Sequence, residues 1–159
     1  DGYTKHVGSK TDIRVMNGHS WAGTTNNNIF EGFDNKFTSK LRDTTLLIKS
    51  VTKSDEKLGY QNTHPSNKVV ILSESIISEC SHEIESDRGP TCGSLAIVLL
   101  SKLTDNIDCY GFNFYRDNWC DKHYWENINK YDQGEFHNFD KEYTYLNKLA
   151  VDGLISLRY

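Results

Sequence analysis

Hydrophobic residues along this chain fall into short runs separated by polar stretches, and the runs carry two different periods. "TDIRVMN" (Thr11 to Asn17) alternates around Ile13 and Val15, the two-residue period of a short strand. "TTLLIKSV" (Thr44 to Val51) and "KVVILSE" (Lys68 to Glu74) are brief apolar runs bounded by polar, Pro or Asn residues, which predicts strands buried on both faces. The period then changes. In "SESIISECSHEIESD", Ile76, Ile77, Cys80 and Ile84 recur at helical spacing. "GPTCGSLAIVLLSKLTD" turns at Gly89-Pro90 and then puts Leu95, Val98, Leu99 and Leu103 on one helical face. "NIDCYGFNFY" (Asn106 to Tyr115) reads as a strand. "FDKEYTYLNKLAVDG" reads as a helix carrying Phe139, Tyr143, Leu146 and Leu149 or Ala150, closed by Gly153. "LISLRY" fits a final short strand. Gly18 to Asn35, with "GTTNNN" inside it, and the polar connection around Pro65 read as loop.

Strands separated by helical patterns predict βαβ units, an α/β class and a mostly parallel sheet flanked by helices. With no internal repeat and no linker, residues 1–159 read as a single domain. The composition is 36% hydrophobic and 12% aromatic, which supplies a real core and excludes wholesale disorder. A net charge of −4 argues against a nucleic-acid partner, which would ask for a basic face. No apolar run reaches the roughly 18 residues of a membrane span. The opening "DGYTKHVGSK" has no initiator Met and no signal peptide, so the chain reads as cut from something longer. The four cysteines, Cys80, Cys92, Cys109 and Cys120, fit no C-x2-C zinc pattern; they could pair in three ways or stay free.

Two regions could carry chemistry. "GPTCGSLAIVLL" delivers a turn into an apolar helix whose first N–H groups lack intrahelical partners, a natural seat for a carboxylate or phosphate. An ordinary helix start with Thr91 as N-cap explains the same residues. Cys92, beside that helix start, is a candidate nucleophile for a hydrolase or simply a small packed residue. The second region is "HYWENINKYDQGEFHNFDKE", where His123 precedes Glu126 and His137 precedes Glu142. A metal site recruiting these four with Cys120, an acid/base pair, and two solvated histidines all fit the spacing.

Taken in order, four stretches resemble the animal-type sialyltransferases. "HVGSKTDIRVMN" resembles the C-terminal end of that family's large motif, and "GPTCGSLAIVLLSKLTDNIDCYGF" resembles the small motif across its length. "HYWE" resembles the third motif, H-Y-x-E, and "HNFDKE" fits the very small motif, H-x4-E. The resemblance implies the sialyltransferase variant of the glycosyltransferase A-type fold, Rossmann-like, here truncated at its N-terminal side. It implies transfer of sialic acid from CMP-sialic acid to a glycan hydroxyl with inversion, without metal or cofactor, in the Golgi lumen. His137 would be the general base and His123 the donor of a hydrogen bond to the leaving phosphate. Thr91, Cys92 and Gly93 would seat the sialic acid carboxylate, with Tyr124 also on the substrate and Glu126 and Glu142 supporting the local structure. The departures are specific. Thr104 replaces a cysteine the family normally pairs with one in the large motif, Cys92 stands where Ser or Thr is usual, and the donor-binding front of the large motif is missing. A non-catalytic sialyltransferase-like binding fragment, the Cys92 hydrolase and a His/Glu metal protein are the rival readings.

Overall fold

The computed structural model describes residues 10–17, 43–49, 66–112 and 137–158. The loops expected at Gly18 to Asn35 and around Pro65, and the candidates Cys120, His123, Tyr124 and Glu126, lie outside the described residues. The chain divides into two compact units, Asp1–Ile77 and Ser78–Tyr159.

In the first unit, β1 (Ile13–Asn17), β2 (Thr45–Lys49) and β3 (Val69–Ile71) form a sheet in the order β1-β2-β3. Both pairings are parallel, with Val15 opposite Leu47 and Leu47 opposite Val70. Thr44 ties the start of this sheet together: its hydroxyl donates to Thr11 O at 2.9 Å and its carbonyl accepts from the Asn67 amide at 2.7 Å. Asp43, just before it, takes a left-handed φ of 66°, a conformation Asp tolerates better than most residues. Leu46 and Ile48 are fully buried and pack with Met16 and Val69. The burial differs from the expectation of two covered faces. It alternates from Thr45 to Ile48, with Thr45 and Leu47 half-buried, because the core lies on the side of Leu46 and Ile48, and Lys49 is buried at the end of the strand.

A helix, α1 (Glu74–Glu83), begins at the end of β3. The second unit continues with α2 (Cys92–Ser101), β4 (Ile107–Tyr110), α3 (Phe139–Val151) and β5 (Ile155–Arg158). Strands β4 and β5 pair in parallel, Cys109 opposite Leu157. Among the described residues every strand pairing is therefore parallel, as the sequence pattern predicts; α2, β4, α3 and β5 alternate helix with strand, whereas α1 and α2 follow one another and no described helix lies between β1, β2 and β3. Ile97 of α2, Cys109 of β4, Leu146 and Leu149 of α3 and Ile155 of β5 form one core. This is the burial of one stripe per helix that a 3.6-residue period demands.

Two sequence expectations are corrected here. Leu103 is not on the inner face of α2: that helix ends at Ser101 with Lys102 as its C-cap, and Leu103 is 82% exposed. Its buried face is Ser94, Leu95, Ile97 and Val98. Ile76 stands outward on α1, whereas Cys80 and Ile84 turn inward.

Two helices end on the same device with different residues. Gly153, at φ 76°, closes α3: its N–H bonds Ala150 O at 3.1 Å and the Leu154 N–H bonds Leu149 O at 2.9 Å. That is the paired Schellman bond set, at the glycine expected from the sequence. Helix α1 closes identically through Glu85 to His82 O and Ser86 to Ser81 O, but with a glutamate at φ 57°.

Candidate functional site

The loop after α1 and the first turn of α2 are stitched to the segment from His137 to Glu142 by three sets of hydrogen bonds. Outermost, the Asn138 side-chain N–H donates to Asp87 Oδ1 at 3.3 Å, while Asn138 Oδ1 caps α3 by accepting from the Lys141 N–H at 3.2 Å. Next, His137 Nδ1 lies 2.8 Å from Gly89 O. Innermost, Glu142 Oε1 accepts from the Thr91 N–H at 3.0 Å, and Glu142 Oε2 accepts from the Thr91 hydroxyl at 2.6 Å and from the Ser94 hydroxyl.

The histidine geometry fixes a tautomer. A carbonyl oxygen can only accept, so the proton of the neutral ring sits on Nδ1 and the lone pair on Nε2. The ring is half-buried, and Phe139 holds its flank with ring centroids 6.0 Å apart. A positioned imidazole with an unprotonated Nε2 can take a proton from a hydroxyl. The orienting partner is a backbone carbonyl where the familiar triads use a carboxylate.

Glu142 is fully buried, and the three hydrogen bonds of its carboxylate run to the start of α2. Thr91 is the N-cap: its extended backbone (φ −61°, ψ 160°) precedes the helix, and its hydroxyl oxygen accepts from the Ser94 N–H at 3.1 Å. With the Thr91 and Ser94 hydroxyl protons both directed at Glu142, this helix start holds a carboxylate from within the chain, in the position that unsatisfied N–H groups and the helix dipole favour. The five-residue offset between His137 and Glu142 acquires a physical meaning. The histidine precedes α3 and meets the loop; the glutamate lies on the inward side of the first turn and meets the helix.

Gly93 is held to glycine by a close approach. A Cβ built there would stand 2.8 Å from Phe112 Cε1, nearer than side-chain carbons pack. The two ends of the "GPTCGSLAIVLLSKLTDNIDCYGF" stretch therefore meet face to face. Cys92 is partly buried beside them, while Cys80 and Cys109 are buried with free thiols. Burial pushes the Cys80 and Cys109 thiols up, Cys80 further through Glu83, so neither is an activated nucleophile.

Thus the structure brings His137, Glu142, Thr91, Cys92 and Gly93 into one region of the second unit, and His123, Tyr124 and Glu126 lie outside the described residues. Sequence reading assigned no role to Ser94, to the carbonyl of Gly89 or to the ring of Phe112. Ser94 had a signal, a hydroxyl at the start of a long apolar run, three residues after a threonine. The carbonyl of Gly89 had none. Among the described residues no group of three His, Cys, Asp or Glu side chains is placed to hold a metal, and no helix is long and apolar enough to cross a membrane.

Against known proteins, residues 1–154 match the family described as glycosyltransferase family 29 (sialyltransferase). The chain belongs to that family. No curated protein and no solved structure matches it.

Proposed function

We propose that this chain is the reacting part of a sialyltransferase that moves sialic acid from CMP-sialic acid to a hydroxyl of an acceptor glycan, with inversion and without metal. His137 is the general base: Nε2 takes the acceptor proton as the hydroxyl oxygen attacks the anomeric carbon and the bond to the CMP phosphate breaks. The observation that carries this reading is the 2.8 Å contact from His137 Nδ1 to Gly89 O, which leaves Nε2 as the acceptor of the next proton. His123 is assigned the hydrogen bond to the departing phosphate, where negative charge develops. Since Thr91 is engaged by Glu142, the sialic acid carboxylate is assigned to the backbone at Cys92 and Gly93, in the first turn of α2. Glu142 positions this turn and does not react. Family membership also suggests the Golgi lumen as its compartment.

The test is sialic acid transfer from CMP-sialic acid to a panel of galactosides by the full natural chain. His137→Ala is expected to lower kcat by roughly a hundred- to ten-thousandfold while CMP binding persists. Retention of activity in that variant sinks the base assignment. Cys92→Ser is expected to remain fully active, and its inactivation would favour the hydrolase instead.

A further inference from the structure

Four contacts lace the end of α1 and the loop after it to the start of α3, and only the last of them enters the transfer step. Glu83 meets Tyr145, Glu85 meets Lys141, Asp87 meets Asn138, and Gly89 meets His137. Every second residue from 83 to 89 is used, while the partners step backwards from 145 to 137. The loop therefore runs antiparallel beside α3 and ends at the carbonyl that holds the imidazole.

The rungs differ in strength. The Lys141–Glu85 pair is 3.7 Å long at the surface, and the Asn138–Asp87 bond is exposed at 3.3 Å, so water competes for both. The Glu83 rung is built differently. Tyr145 is half-buried against the core of the second unit, and its hydroxyl donates to Glu83 Oε2 at 3.2 Å. Burial, and then the Glu83 charge, push that hydroxyl up to about 12, so it stays a donor wherever a histidine works as a base. On its other oxygen Glu83 accepts from Lys102, the C-cap of α2, which also reaches Glu79 at 3.2 Å. One carboxylate at the end of α1 thus joins all three helices.

Little slack lies between Glu83 and Gly89. Ile84 is buried, and the bonds from the Glu85 N–H to His82 O and from the Ser86 N–H to Ser81 O fold the loop back on α1. The Ser86 hydroxyl accepts from the Arg88 N–H at 3.1 Å and tightens the next turn. A carbonyl points where the chain on both sides of it allows. After Gly89, the chain is fixed by buried Pro90 and by the bond from the Thr91 N–H to Glu142. Before Gly89, the firm rung is the one from Tyr145 to Glu83.

We propose that Tyr145 is a positioning residue: through Glu83 it fixes the chain before Gly89, and with it the tautomer and aim of His137. The effect on turnover rests on the base reading of His137; the effect on the ring rests on its hydrogen bond alone.

The experiment records the ring signals of His137 by nitrogen NMR in the full natural chain, at a pH where the ring is neutral. These signals separate the Nδ1–H tautomer from the Nε2–H one. Beside them, kcat and KM are measured for transfer from CMP-sialic acid. Wild type is expected to show the Nδ1–H form. Tyr145→Phe, which removes one oxygen and keeps the ring in the core, and Glu83→Ala should each bring in the Nε2–H form. Each should also lower kcat about tenfold with both KM values held. Glu83→Gln keeps an oxygen for the Tyr145 hydroxyl and should restore the wild-type signals. The double variant Glu83→Ala/Tyr145→Phe should be no worse than the more impaired single one, since both break the same rung. A merely structural rung would lower the melting temperature and leave the ring signals in place, and that result overturns the proposal. Additive losses in the double variant overturn it too, as does Glu83→Gln behaving like Glu83→Ala. Ring signals that respond as expected in a chain that transfers nothing uphold the positioning and remove the base reading. Ring signals that stay fixed in every variant, while His137→Ala abolishes transfer, uphold the base reading and remove the positioning.

Discussion

Helices α2 and α3 start in contrasting ways. Helix α3 is capped by its own Asn138, at the surface, through a single bond to the Lys141 N–H. Helix α2 has the equivalent local cap in Thr91, but a buried carboxylate from 51 residues further along also takes up its first polar groups. The first cap is mostly secondary structure completing itself, with one exposed tie from the Asn138 amide to Asp87. The second is tertiary structure, and it couples the helix start to the segment carrying His137. A local cap can be lost with little consequence elsewhere, whereas the second cannot.

The sharpest way to break the contrast is Glu142→Ala. It strips three hydrogen bonds from buried partners and leaves a hole, so a loss of about 3 kcal/mol or more is expected in the unfolding free energy from denaturant titration. A loss under 1 kcal/mol would mean that the buried carboxylate is incidental. Gly93→Ala attacks the same helix start from its other side by driving a methyl group into Phe112. A destabilisation of about 1–3 kcal/mol is expected. Pairing it with Phe112→Leu should cost less than the two single changes summed, and strict additivity would show that the ring does not set the requirement for glycine. For α3, Asn138→Ala should cost only about 1 kcal/mol, measured by the same titration, because water can replace an exposed cap. The smallest effect is expected at the end of α1. Glu85→Gly removes a left-handed side chain and should raise stability by about 0.5 kcal/mol, the relieved strain being partly offset by the freer unfolded chain. An unchanged or lowered melting temperature would show that the ion pair from Lys141 to Glu85, 3.7 Å long at the surface, outweighs the strain.

What could be read from the sequence divides along the same line. Elements defined by neighbours in the chain were legible: the alternation in β1, the apolar run of β2, the helix ending at Gly153 and the N-cap at Thr91. Helix α2 was foreseen too long, because Leu103 continues its periodicity although the backbone has already left the helix at Lys102. His137, Glu142, Thr91, Cys92 and Gly93 were all named as candidates, but their partnerships were not readable. The contacts from His137 to Gly89 and from Glu142 to Ser94 span 48 residues each, and no local pattern encodes them. One contact uses a backbone carbonyl, which no residue type announces.

That span also bears on how the site comes into being. A contact between residues 48 apart forms only after a long segment has been closed into a loop, and the entropy of that closure must be offset by the contacts it brings together. The imidazole therefore acquires its tautomer and aim only as the second unit completes itself. Hydrogen exchange at the Thr91 amide should consequently report the opening of the docked His137–Glu142 segment, making one backbone proton a clock for the assembly of the candidate site.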